Sequence, residues 1–267
     1  MKNQLQCSEL LDCLDDKYPR KISVVLASYN GEYYIRDQIE SWLRVLRQGD
    51  EIIISDDGST DGTYRVINSI KDHRIVCILN DSRCGYQKNF ERAIEKSSGK
   101  YIFFSDQDDI CLPERVVESL QALQTHGCVF GDAIVTDDAL RPTTDSYFAS
   151  RRTKFFTAWS LFLWPTAIGA TMACSKEFLS TALPFPRGVP HDQWLSVLAA
   201  ARGELQVVRA PIILYRRHLG VASLTGLAKK RSLSLIAQER TRLLFALLLW
   251  FFKRALFATN YSINIDK

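Results

Sequence analysis

The chain has 267 residues, which is enough for one large α/β domain or two small ones. Hydrophobic residues make up 46% and charged residues 24%, so the composition indicates a globular protein rather than a disordered one. The formal net charge of +4 is too small to indicate a nucleic-acid partner. The seven cysteines include no C-x-x-C pair, and residues 1–20 contain no apolar signal sequence, so a reducing cytoplasm is expected.

The first half of the chain alternates between two patterns. Short apolar runs rich in β-forming residues predict strands at residues 21–27, 51–55, 74–79 and 101–104. Apolar residues at helical spacing follow each of these runs, and Pro113 opens the last of the helical patterns. This alternation predicts right-handed βαβ units and a parallel sheet over residues 21 to about 125.

The second half is less regular. Residues 167–174 (AIGATMAC) predict a strand, and residues 175–177 predict the start of a short helix. The proline-rich segment 184–190 predicts a rigid loop. A helix is expected over residues 191–201, and a strand or a pair of strands over 205–215.

Three carboxylates follow the strand at 101–104, namely Asp106, Asp108 and Asp109. An acidic turn after a buried strand places oxygen ligands at the carboxyl edge of the sheet, where open α/β sheets bind ligands. Clustered carboxylates repel each other unless a cation lies among them, so the turn favours a divalent metal site. The alternative is an Asp-rich turn that caps the following helix.

The turn DDGSTDG follows the strand at 51–55. It matches the first half of a calcium loop, but Asn68 stands where the bidentate glutamate would be required, so an EF-hand is excluded. Asp57 is instead placed to accept hydrogen bonds from a nucleoside base or ribose. A capping turn with Ser59 or Asp61 at the N-cap is the alternative, and the two roles are compatible.

Two further motifs carry candidate chemistry. Asp192 in HDQW is placed to act as a general base, with an N-cap role as the alternative. His218 is a candidate metal or phosphate ligand, with an ordinary surface histidine as the alternative. Arg216 and Arg217 are candidates to face a diphosphate.

Seven segments, taken in order, resemble family 2 glycosyltransferases with the GT-A fold, most closely the bacterial rhamnosyltransferase-like branch. They are VVLASYNGEYYIRDQIESW, IIISDDGSTDGT, GYQKNFERAI, YIFFSDQDDICLPERV, IGATMACSKEFL, HDQWL and YRRH, and they span residues 21 to about 220. The resemblance implies a mostly parallel, Rossmann-like sheet with helices on both faces, a smaller acceptor-side region and a helical C-terminal tail.

The resemblance also implies which residues bind the donor nucleotide. They are Ala27, Tyr29 and Glu32 in the turn after the first strand, Asp57 after the second strand, and Lys88 in GYQKNFERAI. It implies that the protein is an enzyme that uses a nucleotide-diphospho-sugar donor. No nucleic-acid partner is implied.

The catalytic residues implied by the resemblance lie in three motifs. Asp106-Gln107-Asp108 corresponds to the D-x-D signature, in which Asp108 ligates Mg²⁺ or Mn²⁺ and Asp106 faces the donor ribose or the metal. Asp192 corresponds to the catalytic base, and His218 to a ligand of the metal or diphosphate. A metal-bound diphosphate leaves while the acceptor hydroxyl, deprotonated by Asp192, attacks from the opposite face, which inverts the anomeric configuration.

The expected function is that of an inverting glycosyltransferase that acts on a glycan or lipid-linked acceptor in bacterial surface polysaccharide synthesis. A catalytically inactive nucleotide-sugar-binding protein of the same fold is the alternative. The expected divisions are an N-terminal extension (1–20), a nucleotide-sugar-binding half (21–130), an acceptor-binding half (131–225) and a basic, apolar helical tail (226–267).

The tail contains an apolar run at residues 243–252, about half of the roughly 20 residues that span a bilayer. Its basic flanks are typical of a helix that lies on anionic lipid. A core or dimer-packing helix with a solvated basic face is the alternative. We expect a cytoplasmic protein with peripheral contact at the inner face of the membrane.

Overall fold

The computed structural model describes residues 21–153, 155–218 and 233–263, with side chains at 234–255 in the last of these ranges. The expected N-terminal extension, residues 1–20, lies outside the described residues. So does segment 219–232, which joins the expected acceptor-binding half to the tail.

The strands and helices of the described residues alternate through the first half, as the sequence predicts. The strands are β1 (Ile22–Ser28), β2 (Glu51–Asp56), β3 (Ile75–Leu79), β4 (Tyr101–Asp106), β5 (Ile110–Cys111), β6 (Cys128–Thr136), β7 (Pro142–Thr144), β8 (Ala173–Ser175) and β9 (Leu205–Arg216). The helices are α1 (Ile35–Leu43), α2 (Thr63–Ser69), α3 (Tyr86–Lys96), α4 (Glu114–Ala122), α5 (Tyr147–Ser150), α6 (Ala158–Leu163), α7 (Lys176–Ala182), α8 (His191–Ala201) and α9 (Leu233–Ile263).

One sheet contains all nine of these strands, in the order β3-β2-β1-β4-β8-β6-β9-β5, with β7 paired to β6. The pairs β1–β2, β1–β4 and β2–β3 are parallel, as predicted. In register, Ser28 lies beside Asp56, and Ala27 lies beside Asp106. The carboxyl ends of β1, β2 and β4 therefore meet at one edge, which is where ligands bind in open α/β sheets.

Apolar side chains cover both faces of the sheet because successive residues of a strand point to opposite sides. Val24 and Leu26 of β1 pack with Ile39 and Trp42 of α1 in one buried cluster. Val25 of β1 packs in the other cluster, with residues of α3, α7 and α8. The predicted α/β architecture with helices on both faces is confirmed.

The strand predicted at 167–174 is wrong over most of its length. Residues Gly169–Thr171 form a 3₁₀ turn, and β8 contains only Ala173–Ser175. The turn is held by the Thr171 hydroxyl, which donates to the carbonyl oxygen of Ile168 at 2.8 Å. A short buried apolar run gives the same sequence pattern in a strand and in a tight turn, so periodicity could not separate them.

Strand β6 (CVFGDAIVT) is not predicted by the sequence patterns considered above, yet it lies between β8 and β9 in the sheet. It crosses the expected division at residue 130, so the sheet is continuous there. Segment 205–215, expected as a strand or strand pair, forms the single strand β9. Its pairing with β6 shifts register near Asp132.

The predicted helical tail forms α9, which packs on the core through one face. Leu243 is fully buried, and Leu247 and Trp250 pack against the same cluster. The indole N–H of Trp250 donates to the carbonyl oxygen of Thr181 at 2.6 Å. In the part of the chain that the structure describes, we find no helix with an apolar stretch long enough to traverse a bilayer.

Candidate active site

The acids of the D-x-D motif lie at the carboxyl edge of the sheet, Asp106 as the last residue of β4 and Asp108 two residues later. Asp106 is partly buried, and burial, followed by repulsion from Asp108 and from Asp192, raises its pKa to about 7. Asp192 comes from α8, more than eighty positions along the chain, so the fold brings acids from two motifs into electrostatic range of each other. The two segments also touch, since the ring of His191, which precedes Asp192, stacks on Phe104 of β4 with the ring centres 5.4 Å apart. A shared catalytic role of these acids stays a prediction.

Asp109 and Arg115 lie beneath this cluster and are both fully buried. Burial, with repulsion from Asp108 and Asp106, raises the pKa of Asp109 well above its usual value. The guanidinium group of Arg115 stacks on the Trp42 ring at 4.4 Å. Its positive charge lowers the pKa values of Asp106 and Asp109, and so partly offsets the repulsion among the acids.

Asp108 and His218 form a direct contact, although they are 110 positions apart. Asp108 Oδ2 lies 2.9 Å from His218 Nε2. The His218 ring packs on the Tyr34 ring with the ring centres 4.3 Å apart, and the Tyr34 hydroxyl donates to Asp138 Oδ1 at 2.8 Å. Burial and this hydrogen bond raise the pKa of Tyr34. His218 is therefore held against the D-x-D motif and is not an ordinary surface histidine.

The Asp108 carboxylate is the kind of oxygen ligand that suits Mg²⁺ or Mn²⁺, and the imidazole nitrogen of His218 lies directly beside it. Among the residues that the structure describes, no three His, Cys, Asp or Glu side chains are grouped to bind a metal on their own. Such sites commonly use one or two carboxylates and complete the coordination with substrate phosphates and water.

Asp192 is the second residue of α8, and the N-cap position is Pro190, so Asp192 does not cap the helix. Its Oδ1 accepts a hydrogen bond from the backbone N–H of Gln193 at 2.8 Å. The preceding His191 is buried against the Phe104 and Phe90 rings, at 5.4 and 4.8 Å between ring centres. Burial lowers the pKa of His191.

The predicted donor-binding residues of the first turn lie near the same edge. Ala27 pairs with Asp106 in register, and Tyr29 follows the end of β1. The Tyr29 ring lies 4.0 Å from the guanidinium carbon of Arg83. Glu32 accepts a hydrogen bond from the backbone N–H of Gly62, so it joins this turn to the start of α2.

Asp57 is buried and holds the loop that precedes α3. One carboxylate oxygen accepts the backbone N–H of Cys84 at 2.7 Å, and the other accepts that of Gly85 at 2.9 Å. The N-cap of α2 is Gly62, so the prediction of Ser59 or Asp61 at the N-cap is wrong, although Asp61 Oδ1 accepts the N–H of Thr63, the first helical residue, at 2.9 Å. A nucleoside contact by Asp57 stays a prediction.

Lys88 lies on α3, where its ammonium group pairs with Glu91 of the next turn. Glu91 in turn accepts the backbone N–H of Phe185 at 2.7 Å. This pairing directs Lys88 towards the proline-rich loop before α8, so a donor contact by Lys88 stays a prediction.

The prediction that Arg216 contacts a diphosphate is wrong, because its side chain is buried and its N–H groups are hydrogen-bonded to the protein. Its Nε donates to the backbone oxygen of Asp108 at 2.9 Å, and Nη1 donates to that of Asp138 at 2.9 Å. Its backbone N–H donates to Asp109 Oδ1 at 3.0 Å. The guanidinium group of Arg217 lies 4.3 Å from the centre of the Tyr215 ring.

Sequence reasoning missed Gln107, Arg115 and Tyr34. Gln107 occupies the variable middle position of the D-x-D motif, and its amide bonds to the backbone of Tyr29. In the sequence, Arg115 is indistinguishable from an exposed residue of a helix. Tyr34 occupies an N-cap position, but its side chain does not cap the helix. The isolated Gly31 opposite Gln107 was the one available signal, since a glycine there marks a close approach.

The chain is similar to known proteins both in fold and in sequence. The fold is that of GT-A glycosyltransferases, and the model of glycosyl transferase family 2 matches residues 23–182. The chain therefore belongs to glycosyl transferase family 2, as the sequence resemblance predicted.

Two relatives illustrate the range of similarity. A dTDP-rhamnosyl transferase, RfbG of Shigella flexneri, is 28% identical over 72% of this chain and 71% of its own length. The UDP-Glc:alpha-D-GlcNAc-diphosphoundecaprenol beta-1,3-glucosyltransferase WfaP of Escherichia coli is 36% identical over 41% of this chain and 43% of its own length. This second match thus spans less than half the length of that relative.

Two solved structures share the fold. TarS of S. aureus in complex with UDP-GlcNAc has a TM-score of 0.62 and 17% identity, over 75% of this chain and 60% of that chain. Glucosyl-3-phosphoglycerate synthase of Mycobacterium tuberculosis with Mn²⁺, UDP and glucosyl-3-phosphoglycerate has a TM-score of 0.56 and 20% identity, over 91% of this chain and 83% of that chain.

Proposed function

We propose that this protein is an inverting glycosyltransferase that moves a sugar from a nucleotide-diphosphate donor to a hydroxyl of a glycan or lipid-linked acceptor. The process it serves is bacterial surface polysaccharide synthesis. The observation that supports the proposal most is the packing of α8 against the end of β4: the ring of His191, beside Asp192, stacks on Phe104, two residues before Asp106, with the ring centres 5.4 Å apart. A donor-side acid and an acceptor-side acid then face one cleft.

On the donor side, Asp108 and His218 would hold a divalent cation, Mg²⁺ or Mn²⁺, together with the diphosphate of the donor. When bound, this cation supplies Lewis acidity that stabilises the departing diphosphate. The Tyr34 ring packs against the His218 ring, and Arg216 donates a hydrogen bond to the backbone oxygen of Asp108. Asp106 faces the donor ribose or the cation, and Tyr29, Glu32 and Asp57 lie around the nucleoside.

On the acceptor side, Asp192 removes the proton from the attacking hydroxyl. Asp192 lies in the first turn of α8, near the N-terminus of that helix. A single displacement at the anomeric carbon inverts its configuration. One carboxylate thus acts on the acceptor while the other side of the cleft holds the leaving group.

The test separates the two acids. Asp108→Ala is expected to abolish transfer and to weaken Mn²⁺-dependent donor binding, because it removes a ligand of the cation. Asp192→Ala is expected to abolish transfer and to preserve donor binding, because it acts on the acceptor alone. Transfer is followed by product formation and donor binding by calorimetry, with exposed Asp145→Ala as the matched control.

Three outcomes would count against the proposal. Equal donor affinity of the wild type and Asp108→Ala in Mn²⁺ would remove the metal role of Asp108. Full transfer by Asp192→Ala would remove the base. Donor binding without transfer by the wild type towards any glycan or lipid-linked acceptor would favour the inactive binding protein instead.

The donor itself is found by thermal stabilisation, since a ligand that binds only the folded state raises the melting temperature. UDP-, GDP- and dTDP-sugars are each added with and without Mn²⁺. We expect one nucleotide to stabilise the protein more strongly with the metal than without it.

We also propose that α9 contacts the inner face of the cytoplasmic membrane. Its outward face carries a run of large apolar side chains, of which Phe245, Leu248 and Phe252 are 68%, 60% and 62% exposed. Arg242, Lys253 and Arg254 flank this run, as in helices that lie on anionic lipid. A lipid-linked acceptor would then reach the site from the membrane surface.

A further inference from the structure

Gln107 makes two hydrogen bonds to the backbone of one residue on the neighbouring strand end. The N–H of Tyr29 donates to Gln107 Oε1 at 2.8 Å, and Gln107 Nε2 donates to the carbonyl oxygen of Tyr29 at 3.0 Å. The last pair in register between β1 and β4 is Ala27 with Asp106. The side-chain amide therefore continues the β1–β4 ladder beyond the point where the backbones separate.

Gly31 lies so close to the Gln107 amide that a side chain at position 31 would overlap it. A Cβ atom at Gly31 would lie 2.4 Å from Gln107 Oε1, which is closer than real Cβ atoms approach. Gly31 does not adopt a left-handed backbone conformation, so its lack of a side chain serves the contact with Gln107 and not the turn itself.

The residue held by Gln107 belongs to a connected pair of turns. The next residue, Asn30, accepts the N–H of Thr60 at 2.8 Å, and its own N–H donates to Ser59 Oγ at 2.8 Å. Ser59 and Thr60 belong to the turn after β2. A displacement of Tyr29 would therefore move both turns relative to the acids of the D-x-D motif.

We propose that Gln107 is a positioning residue that sets the distance between the nucleoside-binding turns and the diphosphate-binding acids. This inference rests on the proposed function, because it assumes that these turns hold the donor nucleoside. Gln107 does not touch the donor; it acts through the Tyr29 backbone. We expect loss of both hydrogen bonds to displace the Tyr29 turn and thereby to weaken nucleotide binding on the order of tenfold.

The test uses Gln107→Met, which keeps the length of the side chain and removes both hydrogen bonds. The matched control is Gln124→Met at the opposite end of β4, where Gln124 Nε2 bonds Tyr101 Oη at 3.1 Å. A second variant, Gly31→Ala, displaces the amide without changing Gln107. UDP, GDP and dTDP are titrated with Mn²⁺ by calorimetry, and amide hydrogen exchange is measured at Tyr29 and Asn30.

We expect Gln107→Met and Gly31→Ala to bind the preferred nucleotide about tenfold more weakly and to exchange the Tyr29 amide faster. Gln124→Met should match the wild type in both measurements, even if its melting temperature falls as far as that of Gln107→Met. Wild-type nucleotide affinity in Gln107→Met, or equal weakening in Gln124→Met, would overturn the proposal. If the wild type binds none of the nucleotides, the proposed function is refuted. Faster exchange of the Tyr29 amide in Gln107→Met would then still show that Gln107 holds the Tyr29 backbone.

Discussion

Gly169 has no room for a side chain because the proposed base and its neighbour lie against it. A Cβ atom there would be 2.6 Å from Nε2 of His191 and 3.6 Å from the Cβ of Asp192. His191 cannot easily give way, since it is buried against Phe90 and Phe104. The position of Asp192 therefore depends on a residue that lies outside the motif itself.

At this scale we predict that Gly169→Ala lowers kcat by on the order of tenfold to a hundredfold, because a small misplacement of a reacting group is costly. Nucleotide binding should be unchanged, since the donor side is not touched. Steady-state kinetics and calorimetry measure the two effects. Gly49→Ala is the control, as nothing lies within 4 Å of its Cβ position, and an unchanged kcat in Gly169→Ala would contradict the prediction.

One carboxylate joins strands β1 and β2 and the segment before β4 at the edge of the sheet opposite the site. Glu51 of β2 accepts hydrogen bonds from the Ser23 hydroxyl of β1, from the Ser98 N–H before β4 at 2.7 Å, and from Lys21 Nζ at 2.9 Å. Burial alone would raise its pKa, but these hydrogen bonds outweigh burial and lower the pKa of Glu51 to about 2. The ionised form thus stabilises the folded sheet.

This shift predicts a pH dependence of stability. Because the folded pKa lies below the ordinary value of 4.5, the contribution of Glu51 is complete above that pH and is lost as pH falls towards 2. Glu51→Gln should therefore lower the free energy of unfolding near pH 7, and the difference from the wild type should shrink as pH falls below 4.5. Urea unfolding at several pH values measures it; a difference that grows on acidification would contradict it.

Over the whole molecule, the active-site edge and the tail helix are parts of one compact unit, because Leu243 of α9 belongs to the same buried cluster as Phe104 of β4. The outward face of α9 is a separate surface. Six exposed apolar side chains occupy it over less than three turns: Leu244, Phe245, Leu248, Leu249, Phe251 and Phe252. Exposed apolar patches of this kind mark interaction sites, and the basic residues beside this one are the basis of the proposed contact with anionic lipid.

We predict that the wild type floats with vesicles that contain anionic phosphatidylglycerol, and that high salt weakens this binding. The triple variant Phe245→Ser, Leu248→Ser and Phe252→Ser should lose flotation, because it removes apolar area without changing charge. The control replaces three exposed apolar residues elsewhere, Tyr64, Val76 and Leu79, by serine. Equal flotation of the two variants would remove the proposed membrane contact.

The parts of the fold that the sequence predicts are those with strong local periodicity. Strands β1, β2, β3 and β4 and the helices between them follow from apolar runs bounded by clear turns. Strand β6 carries Gly131 and Asp132 at its centre, and β8 has only three residues, so their places depend on tertiary pairing. Local patterns carry no information on such pairing.

The site shows the same limit. Asp108, Asp192 and His218 stand in motifs that a resemblance can transfer, whereas Gln107 and Arg115 act through contacts with the distant Tyr29 and Trp42. An amide or a guanidinium group at those positions has no distinctive spacing in the sequence. Only the three-dimensional arrangement assigns them a role.

The burial of Arg115 bears on the charge balance of the cleft. Arg115 places a buried positive charge close to Asp106 and Asp109, and this charge offsets part of the repulsion among the acids without any bound metal. In the proposed reaction, a divalent ion held by Asp108 and His218 would therefore add to the charge of Arg115 and would not replace it.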